Sequence, residues 1–87
     1  MSSPPRFRDD QLARLREMST AIECECPQHL TRLVTALLAF EDYSQTCAAK
    51  DTPDASLHRM MREKAELARI IMEDALSVVL KHERILL

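Results

Sequence analysis

Apolar residues recur every three or four positions in three stretches of the chain, and a proline-containing turn separates each stretch from the next. This spacing places the apolar side chains on one face of an α-helix, whereas a half-buried strand would alternate apolar and polar positions. The pattern predicts helices over about residues 9–24, 27–48 and 53–84. Residues 1–8, with two serines and two prolines, are expected to be a disordered lead to one helical domain over residues 9–87.

Local signals predict where the helices begin. Asp9 or Asp10 is expected to cap the first helix, because a carboxylate accepts hydrogen bonds from the unpaired N–H groups there. Pro27 ends that helix and begins the second, with Cys26 as N-cap, because proline displaces the preceding residue from the α region. Thr52 is expected to cap the third helix.

The third helix carries two apolar stripes, and short turns favour an antiparallel three-helix bundle in which the broader stripe faces the other helices. The broader stripe consists of Leu57, Met60, Met61, Leu67, Ile70, Ile71, Val78 and Val79. Leu76, Leu80 and Leu87 form a second, narrow stripe well off that side. We expect the narrow stripe, together with the adaptable side chains of Met60 and Met61, to be a partner surface, and a homodimer is the natural candidate.

The composition supports an all-α fold. The 87 residues include no glycine, which tight turns and hairpins need, and only three aromatic residues. A chain of this length buries a modest core, which strengthens the expectation of a partner.

Charge and hydropathy exclude two classes of partner. The formal net charge is −2 with both signs mixed, whereas a nucleic-acid surface needs a clustered basic patch. No apolar run approaches the roughly 20 residues that span a bilayer, and the first ten residues have no apolar signal core. We therefore expect a cytoplasmic protein that binds neither nucleic acid nor membrane directly.

Three cysteines, an odd number, favour thiols or metal ligands over a disulfide framework. Cys24, Cys26 and His29 lie around one predicted turn and are plausible ligands for zinc or haem iron, although their spacing is not a strong zinc pattern. Cys26 at a helix N-terminus is also a candidate for oxidation, because the helix dipole favours thiolate. The alternative is that these are structural thiols in an ordinary turn.

A second polar cluster, Cys47 and His58, is predicted at the other end of the second helix, about 30 Å away. Cys47 lies on an apolar stripe and could equally be a small core residue, and His58 could hydrogen-bond the turn. No phosphate-binding loop, catalytic triad pattern or Glu-X-X-His pair occurs, so we do not expect an enzyme.

The run CECPQHLTRLVTALLAFEDYSQTC, followed by DASLH, resembles a segment at the C-terminal end of some bacterial MerR-family transcriptional regulators. The matching residues are Cys24, Cys26, Pro27, His29, Phe40, Glu41, Tyr43, Ser44, Cys47 and His58. The lead PRFRDDQLARL is similar to the start of that segment, so the resemblance covers nearly the whole chain. The DNA-binding winged helix, the long dimerisation helix and the cobalamin domain of such regulators are missing from these residues.

The resemblance implies a regulatory setting. Together with the apolar stripes, it favours a small helical regulatory module linked to bacterial transcription that acts through protein–protein contact. One alternative is a metal, haem or redox sensor in which Cys24, Cys26 and His29 alter the angle between the first two helices. Another is a purely structural dimerisation domain.

Overall fold

The computed structural model describes residues 3–18, 25–50 and 53–87. Within those ranges it contains helices and no strand, so the predicted all-α, three-helix fold is confirmed. The helices are α1 (Asp9–Glu17), α2 (Cys26–Ala48) and α3 (Ala55–His82). The main contact is between α2 and α3, and α1 packs against α2.

The observed helix bounds differ from the prediction mainly in α1. This helix ends at Glu17, because Met18 has non-helical angles of φ −77° and ψ 82°, so the extension predicted through residue 24 is wrong at its first step. Residues 19–24 lie outside the described residues. The second helix begins one residue earlier than predicted, with Glu25 rather than Cys26 as N-cap.

A short-range hydrogen bond explains the start of α1, and the starts of α1 and α3 both differ from the predicted caps. The backbone N–H of Arg8, the N-cap of α1, donates to Oε1 of Gln11 at 2.9 Å, while acidic residues occupy the first turn. Asp9 and Asp10 therefore lie inside the helix, where they suit its positive end, and neither is the N-cap. The predicted cap of α3, Thr52, lies outside the described residues, and Asp54 is the N-cap there.

The hydrophobic core draws on every described element. Its buried members are Phe7, Leu12, Leu15, Val34, Leu76 and Leu80. The contribution of Phe7 differs from our expectation of a disordered lead, because this side chain is only 8% exposed. Burying an aromatic ring offsets part of the entropy cost of ordering the residues around it.

The structure reverses the roles predicted for the two stripes of α3. Leu76 and Leu80, expected on a partner surface, are core residues with 0% and 6% exposure. The broader stripe, expected to face the bundle, is largely exposed, and Ile71 and Val78 are each 62% exposed. The buried side of α3 carries Leu76 and Leu80 together with Arg69 and Glu73, whose charges pair with each other, and the broader stripe therefore faces outward.

Candidate functional site

The buried side of α3 holds an arginine. Arg69 is 1% exposed, and its guanidinium lies between the carboxylates of Glu41 on α2 and Glu73 one turn further along α3. Its Nε donates to Glu41 Oε2 at 2.6 Å and its Nη2 to Oε1 of the same carboxylate at 3.2 Å. Its Nη1 donates to Oε1 of Glu73 at 2.9 Å. This paired, planar geometry is the strong form of an arginine–carboxylate contact.

The remaining N–H donors of Arg69 bind backbone carbonyls of the N-terminal lead. Nη2 donates to the carbonyl of Ser3 at 2.6 Å, and Nη1 donates to that of Pro4 at 3.4 Å. With the carboxylate bonds, these contacts engage all five N–H groups of the guanidinium. In return, the backbone N–H of Arg6 donates to Glu73 Oε2 at 2.9 Å. The arginine therefore joins three parts of the chain: α2, α3 and the lead.

Electrostatics keep this arginine charged. Burial lowers the pKa of Arg69, but its hydrogen bonds to the Glu41 carboxylate and the charges of Glu73 and Glu41 outweigh burial, so the pKa is raised above its ordinary value. A raised pKa means that the stabilisation is present at neutral pH and is lost only as the pH rises through the raised value. Because every donor is occupied, the cluster is suited to holding the fold rather than to binding a ligand.

The lead and α1 cover one side of the α2–α3 pair. On α2, Thr35 Oγ1 accepts a hydrogen bond from Arg16 of α1 at 3.2 Å. On α3, Glu66 Oε2 accepts from the backbone N–H of Ser3 at 3.1 Å, one turn before Arg69. These contacts mark the covered side of each helix.

The opposite side of both helices is apolar and open. At about 100° per residue, Phe40 lies roughly 140° around α2 from Thr35, and Ile71 lies roughly 160° around α3 from Glu73. We call this surface the outer face. Its exposed members are Leu33, Ala36, Phe40 and Tyr43 on α2, and Leu57, Met60, Leu67, Ile71 and Val78 on α3. The rings of Phe40 and Tyr43 stack there with centroids 6.4 Å apart.

The predicted cysteine–histidine cluster is only partly described. Cys24 lies outside the described residues, while Cys26 is exposed at the first residue of α2. His29, one turn on, has its Nε2 3.5 Å from Glu25 Oε2, and both side chains are mostly exposed. Among the residues that the structure describes, no group of three His, Cys, Asp or Glu side chains could hold a metal ion. A zinc or haem-iron site that uses Cys24 stays a prediction.

The other predicted site residues are scattered. Cys47 and His58 are both half-buried, and Nδ1 of His58 is buried without a hydrogen-bond partner. Met60 is exposed on the outer face, next to the half-buried Met61. Leu87, expected on the partner surface, lines a separate open groove of about 540 Å³ between the lead and the end of α3.

Sequence reasoning missed the buried arginine because charged side chains are almost never fully buried unless they are paired. A signal was present. The narrow stripe that contains Leu76 and Leu80 continues at helical spacing through Glu73, Arg69 and Ala65, which are all buried. Extending that stripe towards the start of α3 would have placed Arg69 and Glu73 on the same side of the helix as Leu76 and Leu80.

Comparisons with protein-family models, with curated proteins and with solved structures found no match to this chain. Within residues 3–18, 25–50 and 53–87, no helix combines the length and the apolar character needed to cross a bilayer.

Proposed function

We propose that this chain is a small helical module that acts through protein–protein contact, with the outer face as its contact surface. The observation that carries the proposal is the exposure of large apolar side chains along both α2 and α3. Scattered surface leucines are ordinary, but a continuous apolar patch on a soluble domain marks an interaction site.

The composition of the outer face supports a contact role. It holds an aromatic pair, Phe40 and Tyr43, together with an exposed methionine, Met60. Aromatic residues and methionine are enriched in protein interfaces, whereas lysine and the acidic residues are depleted there. The charged cluster of Arg69, Glu41 and Glu73 lies on the covered side, where the arginine pairs with both carboxylates.

We further propose that α2 and α3 run antiparallel. Glu41 pairs with Arg69, whereas Gln45, four residues further along α2, shares a small pocket with Arg62, seven residues earlier on α3. In an antiparallel pair, later positions of one helix lie beside earlier positions of the other, as they do here. In this arrangement the outer face is a nearly flat surface two helices wide.

The regulatory setting rests on the resemblance of CECPQHL and the following FEDYS and DASLH to segments of bacterial MerR-family regulators. On that basis we propose a cytoplasmic module that influences transcription through a protein partner and not by binding nucleic acid itself. Its mixed charge, with a formal net charge of −2, agrees with this division of roles.

Photo-crosslinking in the cells that produce the protein tests the contact role. A photoreactive amino acid replaces Ile71 on the outer face or, as matched control, its neighbour Ile70, which is 38% exposed off that face. We expect Ile71 to crosslink to protein, either a second copy or another chain, and Ile70 to do so far less. Crosslinks from neither position, or equally from both, would contradict the proposal.

A further inference from the structure

We propose that a second copy of this chain covers the outer face, so that two α2–α3 pairs form a four-helix bundle. The inference rests on the proposed contact function and names the partner. It draws on the spacing of the outer-face residues, on the size of the surface and on where its largest side chains lie.

The spacing on both helices is that of a helix-packing seam. On α2 the seam residues alternate steps of three and four: Leu33, Ala36, Phe40, Tyr43 and Cys47. On α3 the same alternation joins three outer-face residues, Leu57, Ile71 and Val78. Between them the seam passes through the half-buried Met61, Ala68 and Ala75 and through the exposed Lys64, while Met60 and Leu67 lie beside it. Steps averaging about 3.5 residues keep a seam facing another helix along its whole length, as in coiled coils and four-helix bundles.

The seams of α2 and α3 lie side by side, so a partner that covers both of them must itself carry two neighbouring seams. A single docked helix would fill the groove between α2 and α3 and leave the far edges of both seams in water. The outer face of a second copy has the same width and the same spacing of large and small side chains. A twofold axis then places identical surfaces against each other, as in most homodimers.

The area is sufficient for a stable dimer. The outer-face residues of α3 extend about 32 Å from Leu57 to Val78, and two neighbouring helices are about 20 Å wide, so the face covers on the order of 600 Å². A standard protein interface buries about 800 Å² on each partner. The outer face is therefore of interface size without any contribution from α1 or the lead.

Large apolar side chains lie at the centre of the outer face, which is the part that a dimer interface shields most fully from water. Phe40 is next to Glu41 and Ile71 is two residues from Arg69, so both lie at the height of the buried ion pair that joins α2 to α3. Binding energy concentrates in large central side chains that a ring of contacts shields from water. Lys64, the charged member of the α3 seam, lies two turns from Ile71, where its long side chain can reach the solvent edge.

Sedimentation equilibrium of the whole chain tests this inference, with Ile71→Lys as the variant and Ile70→Lys as the control. Both changes place the same charge on adjacent, exposed positions of α3, and circular dichroism checks that both variants remain helical. We expect a dimer for the unaltered chain and for Ile70→Lys. We expect Ile71→Lys to weaken the dimer at least about thirty-fold, the effect of losing a central contact.

Two results would overturn the inference. If the unaltered chain stays monomeric over the accessible concentrations, the second copy is not the partner. In that case, crosslinking of Ile71 to a different protein in cells would still support the contact function. If Ile71 crosslinks to no protein, both the dimer and the contact function are contradicted. If Ile70→Lys and Ile71→Lys weaken the dimer equally, the copies associate through another surface.

Discussion

Arg69 is the residue on which the arrangement of the chain depends most. Its guanidinium is removed from water, which is costly, and two carboxylates and two backbone carbonyls compensate it. A pair of this kind contributes less net stability than its short distances suggest, because desolvation offsets the attraction. Removing the arginine destabilises the fold strongly, because Glu41 and Glu73 would be left buried near each other without a cation.

We therefore expect Arg69→Met to lower the free energy of unfolding by about 3–5 kcal/mol, the usual effect of breaking one side of a buried ion pair. Urea unfolding followed by circular dichroism measures the change. The control is Arg59→Met, because Arg59 is exposed on the same helix and its replacement should change stability by no more than about 0.5 kcal/mol. Equal, small effects of both substitutions would mean that the buried cluster does not hold the fold.

The lead offers a second residue-level prediction, because the buried ring of Phe7 anchors it. Phe7→Ala removes that anchor, and we expect trypsin to cleave faster after Arg6 and Arg8 while the helices remain folded. Each 1.4 kcal/mol of lost docking energy would raise the open population about tenfold, and cleavage follows that population. Tyr43→Ala, an aromatic change on the outer face, should leave this cleavage rate unchanged. An unaltered rate in Phe7→Ala would show that the lead is not held by its ring.

Among the helices, α3 has a covered side, and a leucine buried there should respond to truncation differently from an exposed leucine beyond the end of the helix. Leu76→Ala should lower the free energy of unfolding by about 2–5 kcal/mol, because it leaves a cavity in the core. Leu86→Ala makes the same chemical change at a side chain that is 93% exposed, and should have little effect. Thermal unfolding of the two variants, compared at one protein concentration, checks the difference. A larger loss in Leu86→Ala would contradict the assignment of the core.

Much of the helix pattern could be predicted from local chemistry. Pro27 lies in the first turn of α2, as predicted, because proline suits a first turn, and α2 begins one residue from its predicted position. Pro53, expected at the first position of the third helix, instead precedes the N-cap Asp54, so α3 begins two residues later than predicted. The early end of α1 could not be predicted in this way. Met18 continues the apolar spacing, and nothing in its side chain forbids a helix, yet its backbone is not helical.

The spacing of apolar residues also could not predict which side of α3 is buried. Periodicity identifies stripes, but it does not say which stripe meets the core when two compete. Leu57, Ile71 and Val78 are more apolar than the stripe that contains Arg69 and Glu73, yet the charged stripe is buried because its charges are mutually satisfied and the lead covers it. The lead itself, rich in serine and proline, carries no periodic signal that would have predicted its docking.

At the scale of the whole molecule, the α2–α3 pair has one side covered by its own chain and one side left open. The chain is elongated, with principal extents of 49 × 19 × 17 Å, so its interior is thin and much apolar surface remains outside. A second copy on the outer face would create the thicker core that a chain of this length cannot form alone. The lead and α1 thus cover the inner side of the α2–α3 pair, and we propose that the second copy covers the outer side.

Hydrogen–deuterium exchange, measured by mass spectrometry below and above the concentration at which the chain self-associates, tests this claim most directly. We expect association to slow exchange together in residues 33–43 of α2 and residues 67–78 of α3, and to leave exchange in residues 3–16 unchanged. If association slowed exchange in the lead and α1 but not on the outer face, the proposed arrangement would be contradicted. An exchange pattern that is the same at every concentration would also contradict it.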